Sequence, residues 1–176
     1  MSKFIITSPN IDDARGLAEM HTRSWIDVYP NEEAGVSLAF IKKYVVKFTN
    51  NDGIAKRTAY IREGKTNPDY LLRIAKDQAG KIVGFVDSRK RDGTFELNGL
   101  YIDTSAYGSG LALELANLAL DWLGRNNEIK VTLVVYNERA KHFYEKLGFE
   151  YVPGSETIHN NTPLTVMDMI RKGDSK

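Results

Sequence analysis

The chain has 176 residues, a length that fits one domain with a substantial core. Its 24 Lys and Arg against 23 Asp and Glu leave a net charge of +1, interspersed along the chain; no field for a polyanion results, and nucleic acid is excluded as a leading partner. A composition 42% hydrophobic and 27% charged belongs to ordinary globular domains, and zero cysteines exclude disulfides, thiolate zinc sites and cysteinyl intermediates.

Met1–Thr7 lacks the apolar segment and cleavage site of a secretory leader. No later stretch approaches the roughly 20 apolar residues of a bilayer span, so the expectation is a cytoplasmic protein without a membrane partner. A short strand over Lys3–Thr7 precedes Asn10, an N-cap for a helix whose apolar residues Ile11, Ala14, Leu17, Ala18, Trp25 and Val28 recur at helical spacing until Pro30. Val36–Phe48 and Ile54–Ile61 continue in helical period, interrupted by the turn-like Asn50–Gly53. Tyr70–Ala75, Lys81–Asp87 and Thr94–Asp103 read as three strands of an antiparallel meander, with Asp77–Gly80 as the first hairpin turn. Alternation along the third strand places Phe95, Leu97 and Tyr101 on one face and Glu96, Asn98, Leu100 and Ile102 on the other.

A strand, glycine turn, helix, strand pattern follows. Tyr107–Ala112 opens a helix carrying Leu111, Leu115, Leu118, Trp122 and Leu123, and Val131–Tyr136 is a continuous apolar run, so the flanking strands are expected to be parallel. A last helix over Glu138–Leu147 ends at Gly148, and Phe149–Val152 and Leu164–Ile170 close as strands. The domain is expected over 1–170, with 171–176 as a loose tail.

Glycines between a strand and a helix N-terminus bring several N–H groups and the positive end of the helix dipole to one place, which suits phosphate. A P-loop needs Lys-Ser/Thr after its second glycine, but Leu111-Ala112 follow Gly110; a dinucleotide turn needs a third Gly or Ala where Leu113 stands. Tyr107-Gly108-Ser109-Gly110-Leu111-Ala112, followed by Asn137-x-x-Ala140-x-x-Phe143-Tyr144-x-x-x-Gly148-Phe149, resembles the GNAT superfamily of N-acetyltransferases. The resemblance runs roughly from Thr94 to Val152 and departs from the family pattern at Tyr107, where Gln or Arg is usual.

That resemblance implies a single α/β domain: a mixed, mostly antiparallel sheet with helices on both faces and a splayed parallel strand pair. It implies acetyl-CoA as co-substrate, its pyrophosphate on the amides of Gly108, Ser109, Gly110, Leu111 and Ala112 beside Tyr107, and its pantetheine arm along Leu100, Tyr101 and Ile102. Asn137 is implied as a cofactor contact and is also a good N-cap; Ala140 and Phe143 line the same helix face and read equally as core. Tyr144 is implied as the acid that protonates the departing thiolate. An amine acceptor must lose a proton before attack, and Glu96, on the strand presenting the thioester, is the expected base, with a water chain as its alternative.

Trp25 and Tyr29, one helical turn apart, read as core anchors or as a wall of the acceptor pocket. His21, His142 and His159 show no metal-ligand spacing, so no metal is expected. The implied reaction is acetyl transfer to a primary amine, a small one such as a polyamine first; a protein α-amine or lysine, or a silent acyl-CoA-binding module, stay open. Pairing of Leu164–Ile170 with a second copy's edge offers a route to a homodimer.

Overall fold

The computed structural model describes residues 3–174 and builds them on one eight-stranded sheet. β1 (Ile5–Thr7) pairs with β2 (Tyr70–Lys76), and a single 3-10 turn, in which Asp13 accepts from the Asn10 N–H at 2.8 Å, leads into α1 (Ala14–Val28). Ser37 caps α2 (Leu38–Thr49) by accepting from the Phe40 N–H at 3.1 Å. Asn50 does the same for α3 (Asn51–Thr66), accepting from the Gly53 N–H at 2.8 Å. The turn expected over Asn50–Gly53 therefore shrinks to Asn50, because its side chain satisfies an amide that would otherwise need a loop.

β2 (Tyr70–Lys76), β3 (Ile82–Arg91) and β4 (Thr94–Ile102) form the expected meander. Its alternation does not run through. Asp87 pairs with Gly99 but Ser88 pairs with Leu97, so Asn98 is an extra residue and β4 bulges there. The bulge exchanges the faces: Phe95, Leu97, Leu100 and Ile102 join one cluster with the leucines of α4 (Leu111–Leu123), while Tyr101 packs on Phe85 beneath α1. Leu97 and Tyr101, expected on one face, are on opposite ones.

α4 buries Leu111, Leu115, Leu120 and Leu123 to 1% exposure or less. β5 (Ile129–Val134) then runs parallel to β4 over only Phe95↔Ile129, Glu96↔Lys130 and Leu97↔Val131. α5 (Glu138–Lys146) joins the α4 cluster through Tyr144, and β6 (Phe149–Tyr151), β7 (Thr157–Ile158) and β8 (Thr165–Arg171) complete the sheet. This is the mixed, mostly antiparallel architecture with one splayed parallel pair.

Two expectations fail at the C-terminal end. β8 has β5 on one edge and β6 and β7 on the other, so it has no free edge for a second copy. Arg171, expected to begin a loose tail, is the last residue of β8; its guanidinium donates to Leu147 O at 3.2 Å and Arg125 O at 3.0 Å and pairs with Asp174. The Asp174 N–H in turn donates to Arg125 O at 2.9 Å. Residues 175 and 176 of that tail lie outside the described residues.

Candidate active site

Beyond Leu97 the paired strands part, and a cavity of about 300 Å³ opens in the gap. It draws on both faces of the sheet: Ser24, Val28 and Tyr29 of α1 from one side, and Leu111, Ala112, Phe143 and Tyr144 of α4 and α5 from the other. Asn98–Ile102 of β4 and Val131–Leu133 of β5 form its two rims. On the β3 side, Leu100, Tyr101 and Ile102 pair with Val86, Phe85 and Gly84; pairing with β5 has ended, so their opposite backbone edge faces the gap.

Tyr107, Gly108, Gly110, Leu111 and Ala112 all line the cavity mouth. Gly108 and Gly110 hold φ of +71° and +86°, left-handed backbone that bends the chain so that α4 starts with its N–H groups toward the gap. No hydrogen bond within the chain uses the N–H of Gly108, Gly110, Ala112 or Leu113 among the described residues. Ser109 differs from the others. Its hydroxyl turns back to donate to Ala106 O at 2.6 Å, and it is absent from the cavity wall. Arg139, which the sequence reading passed over, stacks its guanidinium 3.3 Å from the centroid of the Tyr107 ring and lines the same mouth. A guanidinium thus stands beside the turn whose usual Gln or Arg is missing.

Asn137, Ala140, Phe143 and Tyr144 reach the cavity from α5 and its cap. Asn137 is an N-cap as well, accepting from the Ala140 N–H at 3.1 Å. Tyr144 is 5% exposed, packed edge-on against Phe143 and Phe149, and its hydroxyl has no hydrogen-bond partner in the chain among the described residues. Burial, with the fields of Tyr101 and Asp87, pushes that hydroxyl above the usual phenol range, so it carries its proton at neutral pH.

On the α1 side Tyr29 lines the cavity and shares a 3.2 Å hydrogen bond with Tyr101. Trp25 does not reach the wall: it stands behind Tyr29, edge-on at 4.8 Å and stacked on Tyr44 at 5.1 Å, and donates its indole N–H to His21 Nε2 at 2.9 Å. Burial, then the charge of Arg57, keeps His21 neutral. Ser24 is 2% exposed, lines the cavity, and its Oγ is a buried polar atom with no partner.

The expected base is elsewhere. Glu96 walls a small separate depression with Leu97, Asn98, Lys130 and Thr132, and its carboxylate is held by Lys130 at 3.0 Å. Its place before the bulge, where β4 and β5 are still paired, keeps it out of the gap. The carboxylate set against the gap is Asp87 of β3. A Cβ built on Gly99 would lie 2.7 Å from Asp87 Oδ1, so this group sits directly over a residue of the cavity wall. Burial raises its carboxyl to about 6, against the lowering influence of Arg57 and a hydrogen bond with the Asn98 side chain. No short spacing marks Asp87, since its relation to the gap depends on the bulge in the neighbouring strand.

No group of three or more His, Asp or Glu among the described residues is placed to hold a metal. No helix among them is long and apolar enough to cross a membrane.

Residues 19–149 match the model of the acetyltransferase (GNAT) family. The fold is similar to that of the PaiA N-acetyltransferase of Thermoplasma acidophilum in complex with coenzyme A, 20% identical, with a TM-score of 0.75 over 96% of this chain and 98% of that one. It is also similar to a spermidine N-acetyltransferase, SpeG, of Vibrio cholerae, 17% identical, with a TM-score of 0.64 over 97% of this chain and 94% of that one. Among curated relatives, GTPase activating protein 1 of Oryza sativa, in both indica and japonica subspecies, is 36% identical over 72 residues, which span 41% of this chain and 44% of the relative. With the family model covering most of its length and the splayed strand pair and glycine turn in place, the chain belongs to the GNAT acetyltransferase family.

Proposed function

We propose that the protein transfers the acetyl group of acetyl-CoA to a small primary amine by direct attack in a ternary complex. One observation carries this reading: the parallel strands part at Leu97 beside a turn of unpaired amides, and the same gap holds the free hydroxyl of Tyr144. The amides of Gly108, Gly110, Ala112 and Leu113, at the positive end of α4, suit a diphosphate, with Arg139 beside them. The open backbone edge of Leu100–Ile102 suits the amides of a pantetheine arm, which would pair there as an added strand does. The arm would then deliver its thioester into the gap near Tyr144.

Tyr144 gives its proton to the departing sulfur. A thiol of pKa near 8.5 leaves more readily when a phenol supplies that proton, and a phenol raised by burial is fully protonated to do so. With no cysteine in the chain, no thiol can carry the acetyl group between partners, which supports direct transfer. A polyamine is the first acceptor to assay, because spermidine N-acetyltransferases share the fold.

Calorimetry with acetyl-CoA and a thiol-release assay with spermidine, an aliphatic monoamine and a lysine-containing peptide test the reading. Heat of binding together with amine-dependent thiol release is the expected result, and the fastest amine names the acceptor class. Absence of heat at millimolar acetyl-CoA overturns the donor assignment. Binding without release for every amine reduces the protein to a silent acyl-CoA-binding module.

A further inference from the structure

The two faces of the gap have different chemistry. The α4 and α5 face offers backbone amides, Arg139 and a phenol, which suit the donor. On the α1 side the cavity wall carries the orphaned Ser24 Oγ, and against Gly99 of that wall, outside the lining itself, stands the carboxylate of Asp87, within electrostatic reach of Arg57. Asp87 and Arg57 influence each other electrostatically, yet no ion pair within 4.0 Å joins them among the described residues. Arg57 instead puts Nη2 2.9 Å from His21 Nδ1 and its guanidinium 5.6 Å from the centroid of the Phe85 ring. A half-buried carboxylate is thus held beside Gly99 with hydrogen bonds from the Asn98 side chain and from its own backbone N–H, which together leave part of its accepting capacity unused.

Resting on the acetyl-transfer reading above, we propose that Asp87 is the group that receives the acceptor amine and takes its proton, with the bulge at Asn98 setting its carboxylate over the wall of the gap at Gly99. Three placements support it. Asp87 pairs with Gly99 and feels Arg57 of α3, which sets it on the α1 and α3 side of the sheet, opposite the donor face, so an amine entering past Ser24 and Tyr29 would reach it without crossing the thioester. Gly99 lines the cavity and pairs across the sheet with Asp87, and a Cβ there would come within 2.7 Å of Oδ1. Asp87 also lies near enough to Tyr144 for its charge to help raise that phenol.

In the step, R–NH3+ gives one proton to the Asp87 carboxylate and becomes R–NH2. Its lone pair forms the C–N bond at the thioester carbonyl. As the tetrahedral adduct collapses the C–S bond breaks, Tyr144 protonates the leaving thiolate, and the second nitrogen proton restores the phenol. Asp87 then loses its proton to water, so the net products are the amide, coenzyme A thiol and one proton. A base of pKa about 6 is ionised at neutral pH and weakly hydrated, which suits it to this exchange.

The groups facing Asp87 are Arg57 of α3, Tyr70 of β2, Arg89 of its own strand, Tyr101 and Asn98 of β4, and Tyr144 of α5; Arg89 is neutralised by Glu63 at 2.7 Å. The tyrosines are all raised, the two arginines stay charged, and His21 of α1, bonded to Arg57, is held well below its usual range by burial and that charge. An acid limb near pH 6 is therefore expected from Asp87.

The test is Asp87→Asn beside Glu96→Gln, each assayed for acetyl-CoA binding by calorimetry and for amine-dependent thiol release from pH 5 to 10. Asp87→Asn is expected to lower kcat by about 100-fold or more at pH 7 and leave acetyl-CoA affinity unchanged. Its rate should climb with pH toward the pKa of the free amine, because only amine already neutral can react, while wild type and Glu96→Gln keep an acid limb near 6. Thermal melts should find Asp87→Asn no less stable than wild type above pH 6, since it removes a charge that burial penalises. An Asp87→Asn enzyme that keeps the wild-type limb, or a Glu96→Gln enzyme that loses it, overturns the assignment while acetyl transfer stands. A wild type that binds acetyl-CoA but acetylates no amine overturns acetyl transfer itself and the assignment with it.

Discussion

The half of the gap beneath α4 is made mostly by one continuous stretch of chain, Asn98–Leu113, and acts through main-chain atoms. The half beneath α1 is assembled from Ser24, Val28 and Tyr29, with Asp87 of β3 against Gly99 and Arg57 of α3 near it, so it draws on several separate elements and acts through side chains. A backbone-built half tolerates sequence change so long as φ angles and strand edges persist. A side-chain-built half can be rewritten one residue at a time, which is how one donor site comes to serve different acceptors. Substitutions in the two halves should therefore fail in different ways.

The sharpest break of that contrast is Tyr144→Phe, which keeps the ring packed on Phe149 and removes only the hydroxyl that carries the proton. A loss of about 10²–10⁴ in kcat with acetyl-CoA affinity unchanged is expected from steady-state rates and calorimetry. An unchanged rate across pH 6 to 9 would show that the thiolate leaves without help from this residue.

Next is the pin between the halves. Asp103, just past β4, takes Arg23 of α1 at 3.0 Å and Lys81 at 3.3 Å, and its carboxylate also accepts from the Ser105 N–H and hydroxyl. Burial would raise this carboxyl, but the bonds from Ser105, Arg23 and Lys81 outweigh it and hold the group at about 2. A carboxyl lowered on folding contributes above its unfolded value near 4, and the contribution disappears as pH falls toward 2. Asp103→Asn should cost about 2 kcal/mol by urea melts at pH 6 and little at pH 2.5. An equal loss at both values would mean that the pin acts by shape and not by charge.

Gly110→Ala tests the backbone half alone. At φ +86° a Cβ is strained by about 1–2 kcal/mol, although no atom lies within 4 Å of where it would stand. The turn should relax, and acetyl-CoA affinity should fall roughly 5- to 30-fold, with the acceptor KM unmoved.

The same contrast explains what could be read from the residues. The meander, the α4 and α5 helices and the glycine turn follow from local periodicity, and local signals survive folding because neighbouring residues stay neighbours. The face of Tyr101 did not follow, since one inserted residue, Asn98, reverses every side chain after it and no composition signal marks a bulge. Glu96 lost its expected place for the same reason: counted by alternation it shares a face with Leu100, and in the structure it stops short of the gap in the grip of Lys130. Asp87 and Arg57 are thirty residues apart with helix, turn and two strands between them, so their meeting is a product of tertiary packing. Trp25 and Tyr29, one turn apart on α1, divide between the two expectations for them, core anchor and pocket wall: the first stands behind the wall and the second lines it.

The smallest expected effect concerns the one place where the donor half departs from main-chain chemistry. Tyr107 stands where the family usually has Gln or Arg, and Arg139, in the first turn of α5, lays its guanidinium on that ring. The stack fixes the plane of the guanidinium at the mouth, and no hydrogen bond among the described residues uses its N–H groups, a geometry suited to a phosphate oxygen. Arg139→Ala should weaken acetyl-CoA binding by about 1 kcal/mol, roughly fivefold, and reduce the dependence of that affinity on salt. Arg139→Lys should recover less than half of this, because an ammonium has no flat face to stack. Tyr107→Leu should weaken binding like Arg139→Ala, and the double variant no further, if the ring acts only by holding the arginine. Additive losses would mean that ring and guanidinium contact the cofactor separately.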